Sequence, residues 1–406
     1  MRKLVVSITA FLTIVSCSSQ KTKSQIEQKI QNIENSLMEF TTPMDMFQAD
    51  STKLKNLKTL SERMVHYKVP GVSIAVINDF KLEWAKPYGT LKAGSEKPVT
   101  TETYFQAAST SKLITAAIVL HSVEKRILDL DEDANKYLKS WKIPENDLTR
   151  KQKATLRLLL THQAGLPSTN FPQKEDASDP TLIQVLKGES PAMNKPAVVE
   201  YVPGTKWQYS NIGFVVIQQI LEDAFNKPFT KISQEIVFEP LGMRHSTFVY
   251  PLKPELQANE AMPHDADGII GEPAVGPPAV AHGDLMTTPS DLALFTIELM
   301  RAYQGLPNRL FSKEMAGQMF HKELDLDPKM FGIPLGEGLG VILYRKDENF
   351  VFAHPGSNFP GMNCWLLGYP ETGRGVVIMT NGANGEILAM EIISAFNREY
   401  NKPIAQ

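Results

Sequence analysis

Residues 113 to 120 read LITAAIVL, eight positions with Thr115 as their only polar side chain. A helix that is apolar on every side has no face to give to water, so it must run through the middle of a core. The chain is long enough to build one: 406 residues, 42% hydrophobic and 21% charged, allow one large core or two packed lobes. The run opens with a polar mouth, Ser109-Thr110-Ser111-Lys112. Ser109 suits a helix N-cap. Lys112 does not suit the first turn, where a cation opposes the helix dipole by about 0.3–1 kcal/mol and a capping box would place Glu. Local rules are broken most often where a site needs the residue.

The misplaced lysine has a chemical use. Residues three apart share a helix face, so an amine at 112 reaches a hydroxyl at 109. Burial and the positive helix end both favour the neutral amine, which accepts a serine proton. The plain alternative is a capping serine with a lysine snorkelling to solvent. S-x-x-K also occurs at Ser18–Lys21 and Ser122–Lys125, so the spacing alone identifies nothing. Of the three, only Ser109 opens a helix.

Other signatures are missing or incomplete. There is no G-x-S-x-G elbow. DLDEDANKYLKS (129–140) starts like a calcium loop, but Ala134 replaces the turn glycine and Ser140 the bidentate Glu, so it reads as a solvated acidic loop. The eight histidines lack metal-ligand spacing, and no metal or cofactor is expected. The net charge of −3 comes without a basic run, which argues against a nucleic-acid partner.

The first 20 residues, MRKLVVSITAFLTIVSCSSQ, pair a basic start with an apolar stretch too short to span a bilayer. IVSC resembles a bacterial lipobox, which implies cleavage after residue 16 and lipidation of Cys17. The expected localisation is therefore an exported lipoprotein held on a membrane and facing the periplasm, without a spanning helix. Residues 17–50 read as a lipid-anchored tether, partly helical because Ile26, Ile30, Ile33 and Leu37 recur at helical spacing. Residues 51–400 form the catalytic domain. Cys364, in GMNCWLLGY, reads as a buried small residue.

GVSIAVIND and KLEWAKPYG read as a hairpin; 211–225, 289–303 and 386–400 read as helices. GLGVILYRKD, FVFAHPG, MNCWLLGYP and GRGVVIMTNG read as short strands. Strands at both ends of a helical middle, roughly 120–300, predict an α/β (α+β) fold: an antiparallel sheet flanked by helices, with an inserted, mostly helical lobe.

Two distant segments complete a pattern with Ser109-x-x-Lys112. WQYSNIGF contains Tyr209-Ser210-Asn211, a Y-x-N motif, and FAHPGSN contains His354-Pro355-Gly356, an H-x-G motif. In this order they resemble the class C β-lactamase and penicillin-binding-protein-like serine hydrolase family. The segments VPGVSIAVI, LLLTHQAGLP, EPLGMRHSTF and TTPSDLALF are similar to it as well. The resemblance covers about residues 55–400. It implies Ser109 as the acylated nucleophile and Lys112 as proton acceptor. Tyr209 would shuttle the proton to the leaving group and help to activate the deacylating water. Asn211 would bind the substrate amide and orient Lys112. Backbone N–H groups of Ser109 and Ser357 would hold the oxyanion, and His354 and Gly356 would border the substrate. In this context His162 and His282 read as structural hydrogen-bonding residues.

The chain departs from the family's β-lactamases at the third motif, where His354 and Pro355 stand for lysine and threonine. A histidine is mostly neutral at pH 7, and proline has no hydroxyl, so recognition of a substrate carboxylate is weakened. Esters, or amides and peptides containing D-amino acids, are the expected small substrates. The alternatives are a β-lactamase or DD-carboxypeptidase acting on cell-wall peptides, and a non-catalytic penicillin- or peptidoglycan-binding module. Proline cannot donate to a sheet ladder, so its strand is expected at a sheet edge.

Overall fold

A computed structural model describes residues 23–39, 45–46, 56–172, 178–273, 276, 278–346 and 349–400. The chain divides into two compact units, His66–Ala389 and a smaller one made of Met1–Val65 with Met390–Gln406. Residues 1–16 and Cys17 lie outside the described residues.

The larger unit is organised by an eight-stranded antiparallel sheet. Strand β1 (Gly71–Asn78) turns directly into β2 (Lys81–Gly89). The turn residues Asp79 and Phe80 both have φ near +50° (51° and 54°), as a two-residue hairpin of primed type demands. β1 then pairs with the last strand, β10 (Arg374–Thr380), so the first and last strands of this unit meet in one sheet. β9 (Met362–Tyr369), β8 (Asn349–Asn358), β7 (Val341–Lys346), β6 (Gly336–Gly338) and β5 (Leu324–Asp325) continue it outwards. A separate pair, β3 (Phe105–Gln106) and β4 (Met286–Thr287), ties the segment before residue 108 to the segment after residue 280.

Between β2 and β5 the chain is mostly helical. Helix α1 (Ser111–Glu124) contains the apolar run, and every residue from Leu113 to Leu120 is fully buried. It packs against α2 (Asn211–Phe225), while α3 (Pro289–Gln304) lies across β1, β2, β9 and β10. α3 starts as its sequence dictates: Thr288 caps it by accepting from Asp291 N at 3.2 Å, and Pro289 follows at the first position, where a missing N–H costs nothing.

The H-x-G strand is not at the edge of the sheet. β8 lies between β9 and β7. Its pairing with β7, however, covers only Asn349 to Ala353, whereas its pairing with β9 runs from Phe352 to Asn358. Pro355 falls beyond the start of β7, so the missing N–H breaks no ladder and the strand has a local free edge.

In the smaller unit, residues 23–34 are helical, and Ile33, Leu37 and Met46 are buried. Asn32 Nδ2 donates to Glu399 at 3.0 Å, and Asn397 Nδ2 to the carbonyl of Met46 at 2.9 Å. Both partners belong to this unit, whose C-terminal part is the end of helix α4 (Gly385–Tyr400). The described part of the expected tether is thus a packed element and not a free spacer. No helix among the described residues is long and apolar enough to cross a membrane.

Candidate active site

The S-x-x-K segment does not begin as a simple cap. Ala108–Thr110 forms a 3₁₀ turn, and α1 starts at Ser111. Thr110 is the N-cap, and its hydroxyl makes no capping bond; it donates instead to the carbonyl of His354 at 3.0 Å. Ser109 is therefore one residue outside the helix, with its side chain free for other work, and Lys112 is the second helical residue. The turn carries strain: Ala108 has φ of 47°, a left-handed conformation that a Cβ disfavours by about 1–2 kcal/mol. Ser111 secures it, donating to Ala108 O at 2.6 Å and accepting from Leu285 N at 3.1 Å.

Three side chains converge. Lys112 Nζ lies 3.2 Å from Ser109 Oγ, and the Tyr209 hydroxyl donates to the same oxygen at 2.8 Å. Lys112 is fully buried, and desolvation lowers its pKa to about 7, against a smaller opposing pull from Asp284. Near neutrality much of it is thus an uncharged amine. The 3.2 Å separation then lets the serine hydroxyl donate to Nζ. Burial also raises the Tyr209 pKa, so this group stays a phenol and a proton donor. Of the pair, Lys112 is the group suited to accept a proton.

The amine's second hydrogen bond corrects an expectation. Among the described residues Lys112 Nζ pairs with Ser109 Oγ and donates to the carbonyl of His282, at 2.6 Å, and makes no bond to Asn211. Asn211, the first residue of α2, has its Oδ1 buried and without a partner among the described residues. It is a hydrogen-bond acceptor left unsatisfied beside Tyr209. Ser210 caps α2 by accepting from Gly213 N at 3.2 Å and donates to Pro167 O at 2.9 Å, which fixes the backbone between Tyr209 and Asn211. His162 supports the same stretch: its Nδ1 accepts from Ser210 N at 3.1 Å, and its ring lies 4.3 Å from that of Tyr209.

The third motif lies against the nucleophile turn. A Cβ on Gly356 would sit 2.2 Å from Ala107 O and 2.9 Å from the amides of Ser109 and Thr110, so only glycine lets β8 pass this close. Ser357, the next residue, is exposed. His354 is buried, its Nδ1 hydrogen donated to the carbonyl of Pro355 at 2.8 Å. Desolvation, with the Lys112 charge second, lowers its pKa to about 3. The same causes lower His282 to about 3 and His162 well below its ordinary value. The site thus has three neutral imidazoles and no permanent cation among these groups.

Two buried carboxyls beside the site are not evident from the sequence. Burial raises Asp284 to about 7, partly offset by a hydrogen bond from Gly276 N at 3.0 Å. Glu337, in β6, is raised well above its ordinary range by burial alone. No short motif marks either residue, since tertiary placement alone brings them here. Elsewhere, Cys364 is buried, with a thiol pushed up to about 12, which makes it inert. In the acidic loop, Asp133 accepts from Asn135 N at 2.9 Å and Asp131 binds Arg157 at 2.7 Å. No cluster suited to a metal occurs among the described residues.

A family model described as Beta-lactamase matches residues 57–393. A protein of Escherichia coli K12 named as a D-alanyl-D-alanine carboxypeptidase is 29% identical over 238 residues, covering 55% of this chain and 54% of that protein. A similarly named protein of Salmonella paratyphi B is 27% identical over 249 residues, covering 58% and 57%. The match thus spans little more than half the length of these relatives. Among solved structures, an octameric penicillin-binding protein homologue from Pyrococcus abyssi superposes with a TM-score of 0.68 at 24% identity, over 86% of this chain and 77% of that one. A D-alanine carboxypeptidase from Burkholderia cenocepacia gives 0.63 at 22%, over 83% and 96%. At these identities the solved structures support the fold.

Proposed function

The chain belongs to the β-lactamase family of serine hydrolases, and from that membership we propose that it is an exported hydrolase that forms an acyl-enzyme on Ser109. Its substrates are esters, or amides and peptides containing D-amino acids. The observation that carries this reading is the convergence of Lys112 Nζ and the Tyr209 hydroxyl on Ser109 Oγ, at 3.2 and 2.8 Å.

The chemistry follows from that geometry. Neutral Lys112 takes the Ser109 proton as Oγ bonds to the substrate carbonyl carbon. The resulting oxyanion is held by the backbone N–H groups of Ser109 and Ser357, donors of a kind worth about 2.7–4 kcal/mol each in the transition state. The tetrahedral centre collapses, the bond to the leaving group breaks, and Tyr209 gives that group its proton and recovers one from Lys112. Water then enters under the same base, the second oxyanion collapses, and the acid product leaves Ser109 with its proton restored.

The names of the relatives favour a second reading, DD-carboxypeptidase action on cell-wall peptides. Against it, a neutral His354 offers a terminal carboxylate no fixed charge. Turnover of short esters, D-aminoacyl amides, D-Ala-D-Ala peptides and β-lactams, with Ser109→Ala as control, decides between them. Activity on the dipeptide terminus equal to that on the best ester favours the carboxypeptidase; equal activity of Ser109→Ala on every substrate rejects both. Export rests on the N-terminal sequence. Metabolic labelling with palmitate, lost in Cys17→Ser, is the expected result, and labelling retained in that variant contradicts it.

A further inference from the structure

Glu337 is a buried acid that the chemistry above leaves unused. It is 3% exposed, and among the described residues its carboxyl has no hydrogen-bond or ion-pair partner. A carboxyl this deeply placed is poorly hydrated, and no protein group among the described residues compensates it. Its place in the fold is specific. The flanking glycines are closed in by neighbouring chain: a Cβ on Gly336 would lie 2.7 Å from Lys322 Cδ, and one on Gly338 would lie 2.4 Å from Met319 O. Strand alternation therefore sends the Glu337 side chain the other way.

The segment that carries it borders the site at both ends. Phe331 packs edge-on to Trp207, at 6.0 Å between ring centres, and Trp207 lies 6.5 Å from the ring of Tyr209. At the other end Gly340 N donates to Leu160 O at 3.2 Å, and a Cβ on Gly340 would lie 2.8 Å from Ala116 and 3.8 Å from the carbonyl of Lys112. The charge of Glu337 acts on Tyr209, adding to the burial that keeps its phenol protonated. Among the groups of the site, Tyr209 is the one on which Glu337 acts, and a phenol supplies no positive charge to balance a carboxylate.

We propose that Glu337 is a specificity residue that accepts a primary ammonium on the acyl part of the substrate. The inference rests on the hydrolase reading and narrows it to cationic substrates. A substrate ammonium supplies the missing counter-charge, and a pair of this kind, largely out of water, discriminates strongly against an uncharged analogue.

The test uses two matched pairs of p-nitrophenyl esters and p-nitroanilides: D-alanyl against N-acetyl-D-alanyl, and Nα-acetyl-D-lysyl against Nα,Nε-diacetyl-D-lysyl. For the wild type, kcat/KM for the amine is expected to exceed that of its acetylated twin by about tenfold or more in at least one pair. Glu337→Gln brings that ratio close to one, and Glu337→Asp retains part of it. A wild-type enzyme with no preference in either pair overturns the inference without any variant, as does a Glu337→Gln protein that keeps the preference. The neutral ester p-nitrophenyl acetate separates the two claims. Ser109-dependent cleavage without ammonium preference removes the inference alone, and no Ser109-dependent cleavage of any substrate removes both.

Discussion

Lys112 sets the pH dependence of the proposed chemistry. Its active form is the neutral amine, and burial lowers its pKa to about 7. The sign is therefore fixed: kcat/KM rises as pH increases through about 7 and levels off above it. A pH–rate profile on the best substrate checks this. Lys112→Arg places a permanent cation there and is expected to lower kcat by about 10³-fold, with no recovery at high pH. Tyr209→Phe removes the donor 2.8 Å from Ser109 Oγ while keeping the ring that packs on His162. Its kcat is expected to fall by about a hundredfold or more, most for substrates whose leaving groups need a proton.

At the scale of elements, the site depends on how closely β8 passes the turn before α1. Gly356→Ala would force a methyl into the backbone of that turn, 2.2 Å from Ala107 O and 2.9 Å from Ser109 N. The expected outcome is near-complete loss of activity with a stability loss of about 1–3 kcal/mol, read by steady-state kinetics and urea unfolding. Much of this level was legible in the sequence. The apolar run predicted a buried helix because no face of it suits water, and the helix at 211–225 appears with the predicted bounds. The three motifs, some hundred residues or more apart, were legible as a set because their order resembles the family's pattern, and the structure brings Lys112 and Tyr209 to the same oxygen of Ser109. What stayed hidden depends on tertiary placement. The left-handed Ala108 that puts Ser109 outside the helix has no composition signal, since alanine rarely takes that conformation. The partner of Lys112 is a backbone carbonyl, at His282, and carbonyls carry no sequence identity. The edge expected at Pro355 is only local, because β7 begins at Val341 and the extent of its pairing with β8 depends on register.

For the whole molecule, the smaller unit shows how the two ends of the chain hold each other. Arg63, 6% exposed, donates to the fully buried carboxylate of Glu391, its Nε at 2.6 Å. Removing one member of a buried pair strands the other charge, so Arg63→Ala is expected to lower the unfolding free energy by about 3–5 kcal/mol. Denaturant titration measures it, and a change below about 1 kcal/mol would show that water replaces the guanidinium. In the larger unit, the helical middle supplies the base and the phenol, the C-terminal strands supply the H-x-G wall, and the β3–β4 pair brings His282 to Lys112. The family fold sets these parts in place, with the neutral His354 and the buried Glu337 beside them.

The most direct test of the central claim is the rate at which a fluorophosphonate labels the protein as a function of pH, with the modified residue identified by peptide mass spectrometry. The account predicts a single adduct on Ser109, a rate that rises with pH around 7, and no adduct in Ser109→Ala. Labelling that persists in Ser109→Ala, or a Ser109 labelling rate independent of pH between 5 and 9, would contradict it.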